Sequence, residues 1–139
     1  LSRRGGSWRR KGKPPADMTV WPEASWAADQ RASLSEWDHV DARVVAYENV
    51  PVRVTQRDRR VPLTGQLVDF AVMLDVEQDG AFVEVLRIDC CHGYVHAHHG
   101  GLDHDTDLVP ADCRESLDKA YLWAQNCAWH LDRWVGGLL

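Results

Sequence analysis

Apolar and polar residues are patterned most clearly between Leu67 and Cys90. The run Leu67-Val68-Asp69-Phe70-Ala71-Val72-Met73-Leu74-Asp75-Val76 is rich in β-formers and predicts a strand over 66–76. Gln78-Asp79-Gly80 predicts a hairpin turn, with Gly80 supplying the positive φ that side chains disfavour. Ala81 to Cys90 then reads as the return strand. Its even positions Phe82, Leu86, Ile88 and Cys90 are apolar and only Glu84 interrupts them. Residues two apart in a strand share a face, so Arg87 and Asp89 stand side by side, away from Leu86 and Ile88.

Flanking segments carry weaker patterns. Val40 to Thr55 reads as extended through Val44, Val45, Tyr47, Val50, Val52 and Val54, and Gln56-Arg57-Asp58-Arg59-Arg60 reads as a polar turn with solvated arginines. Val20 to Trp37 is Trp- and Ala-rich with weak helical character, Pro22 suiting a first helical turn. Near the C-terminus Leu117, Ala120, Tyr121, Ala124, Ala128, Leu131 and Val135 recur at helical spacing, predicting a helix from about Cys113 to Val135. Asp112 and Glu115 have capping-box spacing, and Gly136-Gly137 supplies the stop. The expected fold is α+β: a small antiparallel sheet of three to five strands, its central hairpin 66–76/81–90, with the C-terminal helix packed on one face.

Length and charge refine this picture. The 139 residues predict a basic disordered tail, 1–17, and one α+β domain, 18–139. The chain begins with Leu1, and Met18 follows the basic run, so the tail reads as translated upstream sequence or a fragment edge rather than a nucleic-acid-binding arm. It holds six of the 16 basic residues and one of the 21 acids, which leaves ten basic against 20 acidic residues in the remainder. So acidic a domain is a poor general binder of nucleic acid, since phosphate contact needs positive surface. No apolar run approaches the roughly 20 residues of a membrane span, and no secretory signal is visible. Cys90, Cys91, Cys113 and Cys127 form no spaced framework, so free thiols in a reducing cytoplasm are expected.

The chemistry concentrates in one segment. Five of the seven histidines, His92, His96, His98, His99 and His104, fall in thirteen residues, flanked or interleaved by Asp89, Asp103, Asp105 and Asp107. Gly93 predicts a turn, after which an extended Tyr94–His98 puts His96 and His98 on one face. Three readings follow. In the first, His96 and His98 bind a divalent metal such as zinc, with a third ligand from Asp103, Asp89 or His92, and occupancy falls below about pH 6.5 as protons compete for imidazole. The second is metal-free acid–base chemistry: His92 or His96 moves a proton, Asp89 orients an imidazole and Arg87 holds a developing anion. In the third, Asp89 pairs with Arg87, one histidine satisfies buried backbone, and the rest is solvated loop. Cys127 and His130, spaced i and i+3, also have metal-like spacing, but a small buried hydrophobe explains Cys127.

The block Val68-Asp69-Phe70-Ala71-Val72, Asp79-Gly80, Arg87-Ile88-Asp89 and His92-Gly93-Tyr94-Val95-His96 resembles a family of small uncharacterised bacterial proteins frequent in actinobacteria. Their pattern reads roughly V-D-F-A, a hairpin, R-Y-D-x-x-H-G-x-x-H, then a helix. The resemblance covers about residues 64–134 and implies that Asp89, His92, Gly93 and His96 form the shared constellation. It implies no activity. Ile88 departs from the usual tyrosine, and His98, His99 and His104 lie outside the pattern. The shape also resembles ribonuclease toxins of toxin–antitoxin pairs. Two functions are therefore expected. One is a toxin-type nuclease or hydrolase acting on RNA through His92, His96, Asp89 and Arg87. The other is a non-enzymatic acidic interaction protein, such as an antitoxin, immunity or phage-related factor, meeting a protein partner through Trp21, Trp26 or Trp37.

Overall fold

The computed structural model describes Trp37 and residues 39–90, 95–99 and 109–136. Five antiparallel strands lie in sequence order: β1 (His39–Tyr47), β2 (Val50–Arg60), β3 (Leu67–Gln78), β4 (Ala81–Asp89) and β5 (His96–His99). A 3₁₀ turn (Ala111–Arg114) and two helices follow, α1 (Leu117–Ala128) and α2 (Leu131–Trp134). The architecture is α+β with a small antiparallel sheet, as expected, and β3–β4 is its central hairpin. The expected basic tail, the helical segment before Trp37 and the Gly93 turn lie outside the described residues, as does Cys91.

Several expectations about local structure need correction. Val40–Thr55 is two strands, split by a turn at Glu48-Asn49 where both residues adopt positive φ, 49° and 69°. Without glycine there, no turn signature marks it. At the second hairpin Asp79 joins Gly80 at positive φ, 52° and 83°. Gln56–Arg60 is no turn but the second half of β2, paired to Phe70, Asp69 and their neighbours on β3. Cross-strand bonding there outweighs the poor strand propensity of its charged residues. The single long C-terminal helix is three short pieces, and α1 is capped by the Ser116 hydroxyl accepting from the Lys119 amide at 3.4 Å rather than by an Asp112–Glu115 box.

A β-bulge alters the return strand. Leu74 faces Leu86 and Asp75 faces Glu84, which leaves Val85 unmatched. Face parity therefore changes at Val85. Leu86 and Ile88 stay together as expected, but Glu84 swings to the side of Arg87 and accepts from its Nε at 2.9 Å. Phe82 swings with it and lies under the Arg53 guanidinium, 4.4 Å from ring to cation.

One apolar core includes residues of the strands and of α1. Val52, Val54, Phe70, Val72, Leu74, Val76, Leu86 and Ile88 are buried together with Leu117, Ala120, Ala124 and Ala128. Phe70 stacks on Tyr121 with centroids 5.0 Å apart. The Tyr121 hydroxyl donates to Asp58 Oδ2 at 3.1 Å, while Asp58 Oδ1 meets His39 Nδ1 at 3.0 Å and Arg60 Nε at 3.4 Å. Among the described residues, no helix is long and apolar enough to cross a membrane. Cys90, Cys113 and Cys127 are buried thiols.

These tyrosine contacts make stability sensitive to alkali. Burial, reinforced by the Asp58 charge, raises the Tyr121 pKa above its ordinary value of 10. A hydrogen bond to Asp132, 2.6 Å long, raises Tyr47 to about 12. An unfolded tyrosine loses its proton near pH 10 while the folded one keeps it, so the folded state binds more protons above that pH. The stabilisation is present below about pH 10 and is lost as pH climbs through the folded values. Urea midpoints should therefore fall from about pH 10 upward, and Tyr121→Phe should fall less steeply than wild type. Parallel declines in the two proteins would contradict this assignment.

Candidate metal centre

Asp58 faces Tyr121, and its neighbour Arg57 therefore points to the opposite side of the sheet. From Arg57 a single row of residues crosses four strands. Arg57 of β2 is opposite Ala71 of β3, Ala71 is opposite Asp89 of β4, and Asp89 is opposite His96 of β5. In the next row His98 is opposite Arg87. The alternation that buries Leu86 and Ile88 in the core thus sends Arg87, Asp89, His96 and His98 to the other face together. Ala71 contributes only a methyl to this row and is itself buried.

On this face Asp89, His96 and His98 converge. His96 Nε2 lies 2.7 Å from Asp89 Oδ1. The two imidazoles meet edge to face, centroids 4.9 Å apart at 86°. One ligand atom from each of the three residues lies within 4.8 Å of the others. All three residues are buried, His96 at 1% exposure, His98 at 3% and Asp89 at 8%. Burying such polar groups is unfavourable unless each is hydrogen-bonded, paired or bound to metal, so the arrangement is costly to leave idle.

The surrounding charges are mostly neutralised in pairs. Arg53 meets Asp75 at 3.2 Å, Arg59 meets Asp69 at 3.5 Å and Arg87 meets Glu84 at 2.9 Å. Asp69 also accepts from the Cys90 thiol at 3.5 Å. Arg57 differs. Its guanidinium lies over the Trp37 ring at 4.3 Å, beside Arg59 over the same ring at 4.6 Å. Its Nε is buried and, among the described residues, without a hydrogen-bond partner. Burial first, and then the charge of Arg87, lower the Arg57 pKa from its usual value, while Asp69 and Asp89 pull the other way.

Of the residues predicted from sequence, Asp89, His96 and His98 come together. Arg87 lies on the same face, one row away, with its Nε on Glu84. His92 and Asp103, the other two offered as third ligand, lie outside the described residues, as do His104 and the glycines at 100 and 101. Asp89 takes the third place among the described groups. Cys127 and His130 do not form a comparable cluster: Cys127 is buried and burial raises its thiol pKa, whereas His130 is exposed and lines a cavity of about 490 Å³ with Tyr47, Trp129 and Asp132. Sequence reasoning read Arg57 as a solvated turn residue and Trp37 as a partner contact, and placed neither beside Asp89. The signal was present in the odd positions Arg53, Arg57 and Arg59, which share a face once residues 56–60 are read as strand.

Two neutral imidazoles and a carboxylate suit zinc, and also iron, nickel and manganese. The present 2.7 Å between Asp89 and His96 is a hydrogen bond. Ligand atoms on a tetrahedral zinc with bonds of about 2.0 Å stand roughly 3.3 Å apart. Binding therefore needs this pair to open by about half an ångström, an exchange of one hydrogen bond for two coordinate bonds.

Neither curated proteins nor solved structures yield a match to this chain. A family of uncharacterised domains does, which agrees with the expected uncharacterised family but lends nothing to the toxin–antitoxin likeness or to an actinobacterial origin. The match reaches further toward the N-terminus than the expected 64–134, taking in β2 and most of β1. It assigns no activity, and so bears on neither the nuclease nor the partner-binding expectation. Over residues 43–133 the chain belongs to the domain-of-unknown-function family DUF7718.

Proposed function

We propose that the domain is a divalent-metal-binding domain, with zinc the best-suited ion, and that Asp89, His96 and His98 are its ligands. The observation that carries this reading is the convergence of three buried ligand atoms within 4.8 Å from residues on two adjacent strands. Among the described residues, two histidines and one carboxylate leave one position of a tetrahedral sphere open, the pattern of hydrolytic rather than purely structural zinc sites. Metal-assisted hydrolysis is the activity class this supports, with the toxin-type nuclease one member of it. The flanking residues Arg57 and Arg87 supply positive charge on an otherwise acidic chain.

A second reading has one observation in its favour. The 2.7 Å contact is already a good Asp–His dyad, able to orient an imidazole for proton transfer without metal. Against it stands the 1% exposure of His96, since a general base must reach a substrate proton.

Elemental analysis of untagged protein purified without chelator separates the two. The metal reading expects about one zinc per chain, lost in Asp89→Ala and His98→Ala. Sub-stoichiometric metal, unchanged by His98→Ala, would rule it out and leave the dyad.

A further inference from the structure

Among the described residues of the sheet face, one arginine stands without a carboxylate partner. Four arginines, Arg53, Arg57, Arg59 and Arg87, lie on this face among the described residues. Three have a carboxylate partner: Asp75, Asp69 and Glu84. Of the two further acids described on this face, Asp89 is engaged by His96, and Glu77 is exposed near the far end of β3. Arg57 stands in the same row as Asp89 and His96, two strand spacings or roughly 10 Å from Asp89 along the sheet. The side chain between them is only a methyl. A dication held by one carboxylate and two neutral imidazoles keeps a net positive charge, and Arg57 adds another beside it.

Arg57 is also placed to use its donors. Trp37 holds one flat face of the guanidinium at 4.3 Å. That stacking fixes the plane but consumes no N–H, since the donors radiate from the edge. The Nε–H is already removed from water and, among the described residues, without an acceptor. A buried donor left unmet is unfavourable, more so on a charged group, so an acceptor brought to it is stabilising. Oxyanions carry several acceptor oxygens and negative charge, and arginine with a neighbouring cation is the usual pairing for phosphoryl groups.

We propose that the centre takes a phosphate-class oxyanion as its non-protein ligand, one oxygen on the metal and another on the Arg57 guanidinium, with Trp37 holding that guanidinium in plane. This rests on the metal reading above and names the substrate class of the same site. Two sources share the chemistry: a free phosphate or monoester, and the diester of a nucleic-acid backbone. The acidic chain then needs no broad basic surface, because recognition is confined to one phosphoryl group.

Calorimetric titration of zinc-loaded full-length protein with inorganic phosphate tests the proposal, with zinc content measured on every sample. Wild type should bind phosphate, and Arg57→Gln should bind at least tenfold more weakly while retaining its zinc. Arg57→Lys, which keeps the charge but loses the planar fork, should fall between them and serves if the glutamine variant fails to fold. Competition by a dinucleotide diester would identify the backbone as source; binding of phosphate alone would identify the free ion or monoester. Equal phosphate affinity in wild type and Arg57→Gln, or no phosphate binding by a protein that does hold zinc, would overturn this inference and leave the metal centre standing. Absence of zinc from wild type would overturn the metal reading and the inference with it.

Discussion

His96→Ala is expected to weaken zinc binding by at least about 100-fold, because outer-shell partners alone are worth 10–100-fold and His96 is proposed as a direct ligand. The substitution acts on the metal-free protein as well. His96 is 1% exposed and its imidazole sits 2.7 Å from the Asp89 carboxylate, itself only 8% exposed. Removing the ring takes this partner from a buried acid and leaves a cavity beside it. Breaking such a buried pair is destabilising by about 3–5 kcal/mol when no other group compensates. His96→Gln keeps a hydrogen-bond donor toward Asp89 but is a poor zinc ligand. It should therefore recover much of the stability and little of the affinity. Urea midpoints for the two variants, read beside zinc competition with a chromophoric chelator, separate the structural role from the ligand role. Recovery of both properties in His96→Gln would refute direct coordination.

Phe70→Ala should be the most destabilising single truncation on the opposite face, by about 3–5 kcal/mol. Phe70 has no exposed surface, lies near the start of β3 opposite Asp58 of β2 and stacks on Tyr121 of α1 at 5.0 Å. Its loss removes the largest fully buried side chain among the described residues and loosens Tyr121, whose hydroxyl holds Asp58. For a domain with about 5–15 kcal/mol of total stability this is a large share. The comparison is Leu63→Ala, 97% exposed in the β2–β3 loop, which should change stability by less than about 0.5 kcal/mol. A Phe70→Ala loss under about 1.5 kcal/mol would mean that α1 is not seated over this ring.

The central hairpin was legible because its signals are local: Leu67–Val76 is dense in β-formers and Asp79-Gly80 is a strong turn pair. The first hairpin was not, because Glu48 and Asn49 enter positive φ without a glycine to mark it. The second half of β2 was hidden for a related reason. Arg57, Asp58, Arg59 and Arg60 read as a solvated turn, yet Arg59 meets Asp69, Asp58 meets Tyr121 and Arg57 stacks on Trp37, contacts that only the folded chain makes. That misreading also concealed Arg57 as a site residue. His96 and His98 were legible from alternation alone, and Asp89 stood among three possible third ligands. Its choice needed register, since only strand pairing brings Asp89 opposite His96. The bulge at Val85, which carries Glu84 to Arg87, left no trace in composition.

Zinc K-edge X-ray absorption on the loaded protein tests the coordination most directly. The account predicts about one zinc per chain with a first shell of nitrogen and oxygen near 2.0–2.1 Å, and outer-shell scattering from two imidazoles that drops to one in His98→Ala. A shell of oxygen alone, or imidazole scattering that His98→Ala leaves unchanged, would contradict it.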